Sequence, residues 1–224
     1  CAVPVRISHS HNTDFLTNNR FRLFINKVQR TQIPRFATSL WACSYEAGRW
    51  LYGDNKSFEI IHNAIQLDKF EYSEDLRKKY RDLYGIRNKY VIGNIGRFDY
   101  QKNQSFLLSV FAEIIKKNPD SCLMLVGDGV DRPKIERQIE SLGITDRVIL
   151  TGQVENTNEI LNAFDVFVLP SHFEGLGIAL IEAQANGVYC IVSTGIPLSS
   201  DVTSRVKYLS LDEGNDEWIE NILS

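Results

Sequence analysis

The sequence lacks the signatures of several common protein classes. None of its apolar runs approaches the roughly 18 residues that a membrane-spanning helix needs, and its first residues have neither the charged region nor the apolar core of a signal peptide. It contains no GxxxxGK[ST] phosphate loop, and its two GxG pairs lack the third glycine of the dinucleotide fingerprint. We therefore expect a soluble, cytoplasmic protein that is neither a P-loop enzyme nor a typical dehydrogenase.

Cysteine is scarce and widely spaced. The chain has four cysteines in 224 residues, at Cys1, Cys43, Cys122 and Cys190. The last two lie inside apolar runs, where a free cysteine behaves as a small buried hydrophobe. His9 and His11 are two residues apart in a predicted strand, but no further cysteine or acid cluster completes the four ligands that zinc prefers. The pattern favours a reducing compartment and predicts no metal site.

The net charge of −3 hides a basic N-terminal region. Residues 1–35 contain six Lys or Arg and one acid, Asp14, whereas the remaining residues carry a net −8. The apolar side chains from Phe21 to Val28 recur at helical spacing, with cations on the other flank. We favour a core-packing helix with solvated cations, because charge runs are commonly exposed faces. The alternative is peripheral contact with the anionic inner face of a membrane. The sequence does not interleave basic with aromatic residues, so it does not predict nucleic-acid binding.

Short apolar runs alternate with longer periodic segments along most of the chain. Nine runs are predicted strands: residues 5–9, 40–44, 58–62, 89–96, 122–127, 147–152, 166–170, 189–193 and 206–210. Helical patterns occupy residues 103–118 and 131–143 between them. This alternation predicts an α/β fold with a Rossmann-like, doubly wound parallel sheet, preceded by part of a second Rossmann-like domain. We place the first domain at residues 1–66 and the second at residues 67–224.

Polar and cationic residues follow the ends of the predicted strands, where open parallel sheets bind ligands. Arg97 and Lys102 come after the strand at 89–96, and Gly175 and Gly177 directly precede a predicted helix. Glycines let a ligand approach the backbone closely, and the first N–H groups of a helix attract phosphate. The sequence therefore predicts a diphosphate site at this edge of the sheet.

Two glutamates lie eight residues apart beside this predicted site. Glu174 comes before the helix, facing whatever extends from the diphosphate, and Glu182 lies about two turns into it. A carboxylate accepts hydrogen bonds only, which suits the vicinal hydroxyls of a sugar or a ribose. The alternative is that Glu174 caps the helix and Glu182 is a solvated helix residue.

The segments GRFDYQKN, LMLVGDG, VILTGQVEN and DVFVLPSHFEGLGIALIEAQANG occur in this order. Together they resemble the donor-binding domain of retaining glycosyltransferases with the two-domain GT-B fold, in family 4 and its capsular and exopolysaccharide members. The resemblance covers residues 60–205 and rests on the E-x7-E element and the upstream GR and K. RISHSHNT and ACSYEAGRWLYG are similar to the late part of the acceptor domain of the same enzymes.

The resemblance implies metal-free and cofactor-free transfer of a hexosyl group, with retention, from a nucleotide-diphosphate sugar, for which a UDP-sugar is the expected donor. It assigns Arg97 and Lys102 to the diphosphate and Glu174 to the donor sugar, as the catalytic set. The implied donor-binding residues are Gly175, Leu176, Gly177, Glu182 and Asn63.

The sequence also departs from the family. Gln66 stands where an aspartate is common, and the glycine-rich first loop and early histidine of the acceptor domain are not found. We therefore expect this chain to bind donor without completing transfer to a saccharide or lipid-linked acceptor. The alternatives are a nucleotide-sugar epimerase or sugar phosphorylase on the same fold, or a non-catalytic nucleotide-sugar-binding subunit.

Overall fold

Two parallel β-sheets organise the chain in the computed structural model, which describes residues 3–15, 20–212 and 214–224 and so leaves Cys1 outside. The smaller sheet consists of β1 (Ile7–Ser10), β2 (Ser39–Ala42) and β3 (Glu59–Ile60), in that order. The larger sheet contains β4 (Tyr90–Ile95), β5 (Ser121–Val126), β6 (Val148–Gly152), β7 (Val166–Leu169), β8 (Tyr189–Ser193) and β9 (Val206–Leu209). The nine predicted strands are confirmed, although β3 is shorter than expected.

Eight α-helices connect these strands within the described ranges. They are α1 (Arg20–Phe36), α2 (Tyr45–Tyr52), α3 (Glu74–Leu83), α4 (Gln104–Lys117), α5 (Arg132–Ser141), α6 (Thr157–Ile160), α7 (Ile178–Asn186) and α8 (Asn215–Leu223). A helix follows every strand except β8, which a 3₁₀ turn at Leu198–Ser200 joins to β9, and this alternation confirms the predicted α/β fold class.

Helices cover both faces of the larger sheet. On one face, Phe111 of α4, Ile135 of α5 and Trp218 of α8 pack together with at most 1% exposure. On the other face, Ile160 of α6 and Leu180 of α7 are fully buried in a second cluster. Each such side chain contributes about 1.5–3 kcal/mol by leaving water. The central strands β4, β5 and β7 are apolar along most of their length because both of their faces are covered.

The order of the strands in the larger sheet is β6-β5-β4-β7-β8-β9, with every neighbouring pair parallel. The chain first adds strands on one side of β4 and then, from β7, on the other side. In such sheets a crevice opens where the direction reverses, beyond the carboxyl ends of the two central strands. The loops after β4 and β7 therefore border the expected ligand site.

Helix α1 corrects one expectation. The expected packing of its apolar stripe into a core is not found within this chain, because none of its 17 residues is buried. Phe21 and Phe24 are 73% and 66% exposed. Helical periodicity located the stripe but could not tell which way it faces.

Residues 61–66, which cross from the smaller to the larger sheet, have no regular secondary structure. A 3₁₀ turn at Leu67–Phe70 follows, and α3 then packs against α6 and the 3₁₀ turn at Leu161–Ala163. The domain division at residue 66 stays a prediction.

Candidate functional site

Glu174 is held by three side chains at the switch point. Its Oε1 accepts from Lys102 Nζ at 2.6 Å and from Ser171 Oγ at 2.8 Å, and its Oε2 accepts from Gln101 Nε2 at 3.2 Å. The residue is only 5% exposed. A buried carboxylate needs this kind of paired and hydrogen-bonded setting to remain charged.

This arrangement overturns the capping alternative for Glu174. The residue that precedes α7 is Gly177, in the left-handed conformation at φ 68°, and the Glu174 carboxylate bonds to the loops after β4 and β7 instead. Lys102 and Glu174, predicted separately from two loops, form one ion pair. An ammonium has three donors, so a phosphate oxygen can share Lys102 with Glu174.

The backbone N–H groups from Gly175 to Gly177 lack partners among the described residues, although all three residues are buried. The N–H groups of Gly175, Leu176 and Gly177 donate to no other part of the described chain. Leu176 itself is anchored, because its side chain packs against the fully buried Cys43 and Ala47, which lie beside the smaller sheet. The predicted phosphate seat thus consists of unpaired N–H groups on a fixed loop.

A segment after β1 closes against this loop, which the sequence did not reveal. Thr13 Oγ1 donates to the Glu174 carbonyl at 2.8 Å, and a Cβ on Gly175 would lie 1.8 Å from the His11 carbonyl oxygen. Only glycine permits this approach. Because residues 11–13 directly follow β1, the rule applied to the larger sheet would have found this segment.

The two histidines beside that segment are in contact with each other. The His9 and His11 rings lie 4.1 Å apart, and His9 Nε2 is buried with no partner among the described residues. Burial, and then the neighbouring His11, lower the pKa of His9. Within residues 3–15, 20–212 and 214–224, no group of three or more His, Cys, Asp or Glu could hold a metal ion.

Glu182 has a different setting from Glu174. It lies half-buried on α7, and no described residue donates a hydrogen bond to it or pairs with it. Burial raises the pKa of its carboxyl group. The carboxylate is therefore free to accept hydrogen bonds from a ligand.

Arg97 reaches furthest into solvent. Its side chain is 59% exposed, and its Nε donates to Asp99 at 2.6 Å. The backbone around it is tied to the loop after β5, because Phe98 N donates to the Asp128 carbonyl at 2.9 Å. A Cβ on Gly129 would lie 2.2 Å from the Phe98 carbonyl oxygen. Gly129, the second glycine of the GxG pair at residues 127 and 129, is therefore required for this close packing of the two loops.

Asn63 is the predicted site residue with the least structural support. It is half-buried in the crossing between the sheets, and its side chain bonds to none of the described residues. Its contribution to the cleft stays a prediction.

A model of the family described as Glycosyl transferases group 1 matches residues 77–221. The chain belongs to this family. The matched span includes Arg97, Lys102, Glu174 and Glu182, so the resemblance noted in the sequence is confirmed. Members of the group 1 family are glycosyl transferases by its description.

Curated relatives of this group 1 chain extend well beyond it. EpsF of Bacillus subtilis (strain 168), named as a glycosyltransferase, is 36% identical over 230 residues, covering 98% of this chain and 59% of EpsF. The UDP-Gal:alpha-D-GlcNAc-diphosphoundecaprenol alpha-1,3-galactosyltransferase of Escherichia coli is 36% identical over 149 residues, covering 64% of this chain and 38% of the enzyme. The chain thus spans about three fifths or less of these relatives.

The crystal structure of HepE from Anabaena in complex with UDP-glucose has the same fold. It superposes with a TM-score of 0.83 at 22% identity, covering 97% of this chain and 61% of HepE. The match establishes the GT-B arrangement for both the smaller and the larger sheet. Among the described helices, none is long and apolar enough to cross a membrane.

Proposed function

We propose that this chain is the donor-binding part of a retaining glycosyltransferase. It moves a hexosyl group from a nucleotide-diphosphate sugar to a saccharide or lipid-linked acceptor in surface or exopolysaccharide biosynthesis. The observation that carries this proposal is the Lys102–Glu174 pair beside unpaired N–H groups and an unpartnered Glu182, all at the switch point of a group 1 chain.

The diphosphate would bind between the loops after β4 and β7. The N–H groups from Gly175 to Gly177 supply donors fixed before the ligand arrives, and Lys102, whose side chain is 16% exposed, adds a cation. Arg97, which is exposed, can turn from Asp99 to grip two phosphate oxygens. These fixed donors stabilise the charge that develops on the diphosphate as its bond to the sugar C1 breaks.

The two glutamates would then act on different parts of the donor. Glu182, without a partner, accepts from the paired hydroxyls of the ribose. Glu174 lies deeper, and its Oε2 receives only the 3.2 Å bond from Gln101, so it keeps a lone pair for a hydroxyl of the sugar. On this proposal Lys102 and Glu174 form one charged unit that contacts both the phosphate and the sugar.

The names of the relatives support a UDP-sugar donor and a lipid-linked acceptor. The Escherichia coli relative transfers galactose from UDP-Gal to a diphosphoundecaprenol-linked sugar, and HepE was crystallised with UDP-glucose. EpsF, which aligns with nearly the whole chain, supports the transferase reaction, and similarity to the Vi polysaccharide biosynthesis protein VipC/TviE of Salmonella typhi supports a role in polysaccharide biosynthesis. We propose the same for the protein to which this chain belongs, acting without a metal.

Calorimetric titration with UDP, GDP and ADP in the presence of a chelator tests donor binding. We expect UDP to bind and GDP and ADP not to bind. Arg97→Ala and Glu182→Ala should each weaken the binding of UDP. Arg205→Ala, which changes an exposed arginine in the loop before β9, is the control and should bind UDP normally. Failure of the folded full-length protein to bind any nucleotide would refute the proposal.

The reaction itself is tested with full-length protein, UDP-sugar and a saccharide acceptor, by assigning the anomeric configuration of the product. Retained configuration supports the proposal. An isomerised donor would show an epimerase, a sugar phosphate formed with inorganic phosphate would show a phosphorylase, and tight binding without turnover would show a binding subunit.

A further inference from the structure

The two oxygens of the Glu174 carboxylate have different partners. Oε1 accepts from both Lys102 Nζ, at 2.6 Å, and Ser171 Oγ, at 2.8 Å. Among the described residues, Oε2 accepts only from the side-chain amide of Gln101, at 3.2 Å. The last torsion of a glutamate side chain is broad, so contacts at Oε1 alone leave the carboxylate plane free to turn. Gln101 supplies the contact that fixes this plane and therefore the direction in which Oε2 faces.

The backbone of Glu174 is held at both of its polar groups. Its N–H donates to the Gly195 carbonyl at 3.1 Å, and its carbonyl accepts from Thr13 Oγ1 at 2.8 Å. A Cβ on Gly195 would lie 2.2 Å from the His172 carbonyl oxygen, so the two loops are in close contact. Because the backbone is fixed in this way, the orientation of the carboxylate depends on its side-chain contacts.

Gln101 is itself fixed against the loop after β7. It is 5% exposed, its backbone carbonyl accepts from His172 N at 2.8 Å, and its Nε2 donates to the Phe173 carbonyl at 3.0 Å. Carbonyl and carboxylate oxygens only accept hydrogen bonds, so the amide must present its nitrogen to both. A side chain that is locked by such contacts can orient its neighbour.

The Gln101 amide has more acceptors around it than hydrogens to donate. Asn12 Oδ1, in the segment after β1, is a third acceptor at 3.4 Å, whereas an amide nitrogen carries two hydrogens. The hydrogen bond to Glu174 Oε2 is therefore shared and incomplete. A ligand hydroxyl that donates to Oε2 would make up this shortfall.

We propose that Gln101 is a positioning residue for the donor sugar. It holds the plane of the Glu174 carboxylate so that Oε2 faces one sugar hydroxyl, and it acts through Glu174 without contacting the donor. A carboxylate that is oriented in advance loses less conformational freedom on binding, which favours the sugar and not the nucleotide. The inference rests on the proposed function, because it takes Glu174 to be the group that binds the donor sugar.

The difference in affinity between UDP and a UDP-sugar isolates the contribution of the sugar. Calorimetry on the full-length protein measures it with UDP, UDP-glucose and UDP-galactose, and the UDP-sugar that binds more tightly is followed in the variants. Gln101→Met keeps the length of the side chain and removes the amide. We expect it to weaken binding of the UDP-sugar about fivefold or more and to change UDP affinity less than about twofold.

A second substitution tests whether Gln101 acts through Glu174. When Glu174→Gln is already present, Gln101→Met should change UDP-sugar affinity by less than about twofold, because no charged carboxylate is left to orient. Gln101→Asn, whose shorter side chain withdraws the amide from Oε2, should repeat the effect of Gln101→Met. The matched control is Gln138→Met on α5, where the amide donates to the Ser105 carbonyl at 2.8 Å, and both affinities should be unchanged in it.

Equal weakening of UDP and the UDP-sugar by Gln101→Met would show a purely structural role and overturn the inference. Unchanged affinity for both ligands would overturn it as well, and so would an undiminished effect of Gln101→Met alongside Glu174→Gln. Failure of the unaltered protein to bind UDP or either UDP-sugar is a different result, because it would refute the proposed function and this inference with it.

Discussion

Glu174 and Glu182 lie on the same short stretch of chain, yet the protein surrounds them in opposite ways. Glu174 is 5% exposed and bonds to Lys102, Ser171 and Gln101. Glu182 is half-buried and has no partner in the described part of the chain. Glu174 is thus oriented before any ligand arrives, whereas Glu182 is available for hydrogen bonds from a ligand.

This difference predicts that changes around Glu174 alter the stability of the fold, whereas changes at Glu182 alter ligand binding. Removing a partner of Glu174 leaves a buried charge uncompensated, which costs free energy in the folded protein itself. Glu182 is a half-buried carboxylate without hydrogen-bond partners in the described part of the chain, so its removal should not destabilise the fold. Its removal should lower the affinity for the ligand instead. Variants of the two sites should therefore change different measured quantities.

The largest effect is expected for Lys102→Met. It leaves the Glu174 carboxylate buried without its cation, which should lower the free energy of unfolding by about 3–5 kcal/mol and the melting temperature by about 10 °C. Thermal and urea unfolding followed by circular dichroism measure both.

The control for that variant is the pair Lys102→Met with Glu174→Gln, which removes both charges and should restore much of the lost stability. Lys117→Met, at an exposed lysine of α4, should leave stability unchanged. A double variant less stable than Lys102→Met would contradict the ion-pair account.

Glu182→Ala should affect binding without harming stability. The loss of hydrogen bonds from the ribose to a charged acceptor, each contributing about 1.5–3 kcal/mol, should weaken UDP-glucose at least about tenfold. Calorimetry measures the affinity, and Glu140→Ala on the exposed side of α5 is the matched control. Unchanged affinity would remove Glu182 from the site.

Ser171→Ala should have a smaller effect on stability than Lys102→Met. Glu174 loses the 2.8 Å hydrogen bond but keeps Lys102 and Gln101, so we expect a loss of about 1.5 kcal/mol in the free energy of unfolding. Ser141→Ala, at the exposed end of α5, should change it by less than about 0.5 kcal/mol. A loss as large as that of Lys102→Met would show that Ser171 has another structural role.

The smallest effect should be a pH dependence that comes from Glu182 alone. Its carboxyl pKa is raised by burial in the free protein, and the ionised form accepts hydrogen bonds from the two ribose hydroxyls more strongly than the protonated form does. Affinity for UDP-glucose should therefore fall as pH decreases through this raised pKa and be constant above it. UDP-glucose suits the titration because its phosphates do not titrate near neutrality.

Glu182→Gln is the control for this pH dependence, because its side chain cannot ionise. Its affinity should be weaker and should vary less with pH. An equal slope in both proteins would assign the titration to another group.

The part of the chain that forms the larger sheet could be predicted well, because the composition of its strands alone identifies them. Strands β4, β5 and β7 are buried on both faces, so their sequences are continuous apolar runs bounded by polar loops. The bounds agree with prediction to within a residue or two, and the loops after β4 and β7 supply the predicted cations and carboxylates. Local patterns and the switch-point rule were enough for these elements.

The part of the chain that holds the smaller sheet shows what could not be predicted from the sequence. The stripe of α1 was correctly located, but which side of the helix meets the rest of the chain depends on its contacts with α2. The contacts of Thr13 with Glu174, and of the His11 carbonyl with Gly175, join residues more than 160 positions apart. No local pattern predicts which distant loops meet.

By itself, the sequence determined the strand and helix order, the family, and the placing of Lys102, Glu174 and Glu182 near one edge of a sheet. These follow from hydrophobic periodicity and from the rule that parallel strands gather their carboxyl ends. Only the tertiary structure decided that Glu174 is paired and buried, that Glu182 is not, and which side of α1 meets the rest of the chain. Burial and hydrogen-bond partners depend on which distant segments pack together, and residue type alone does not encode them.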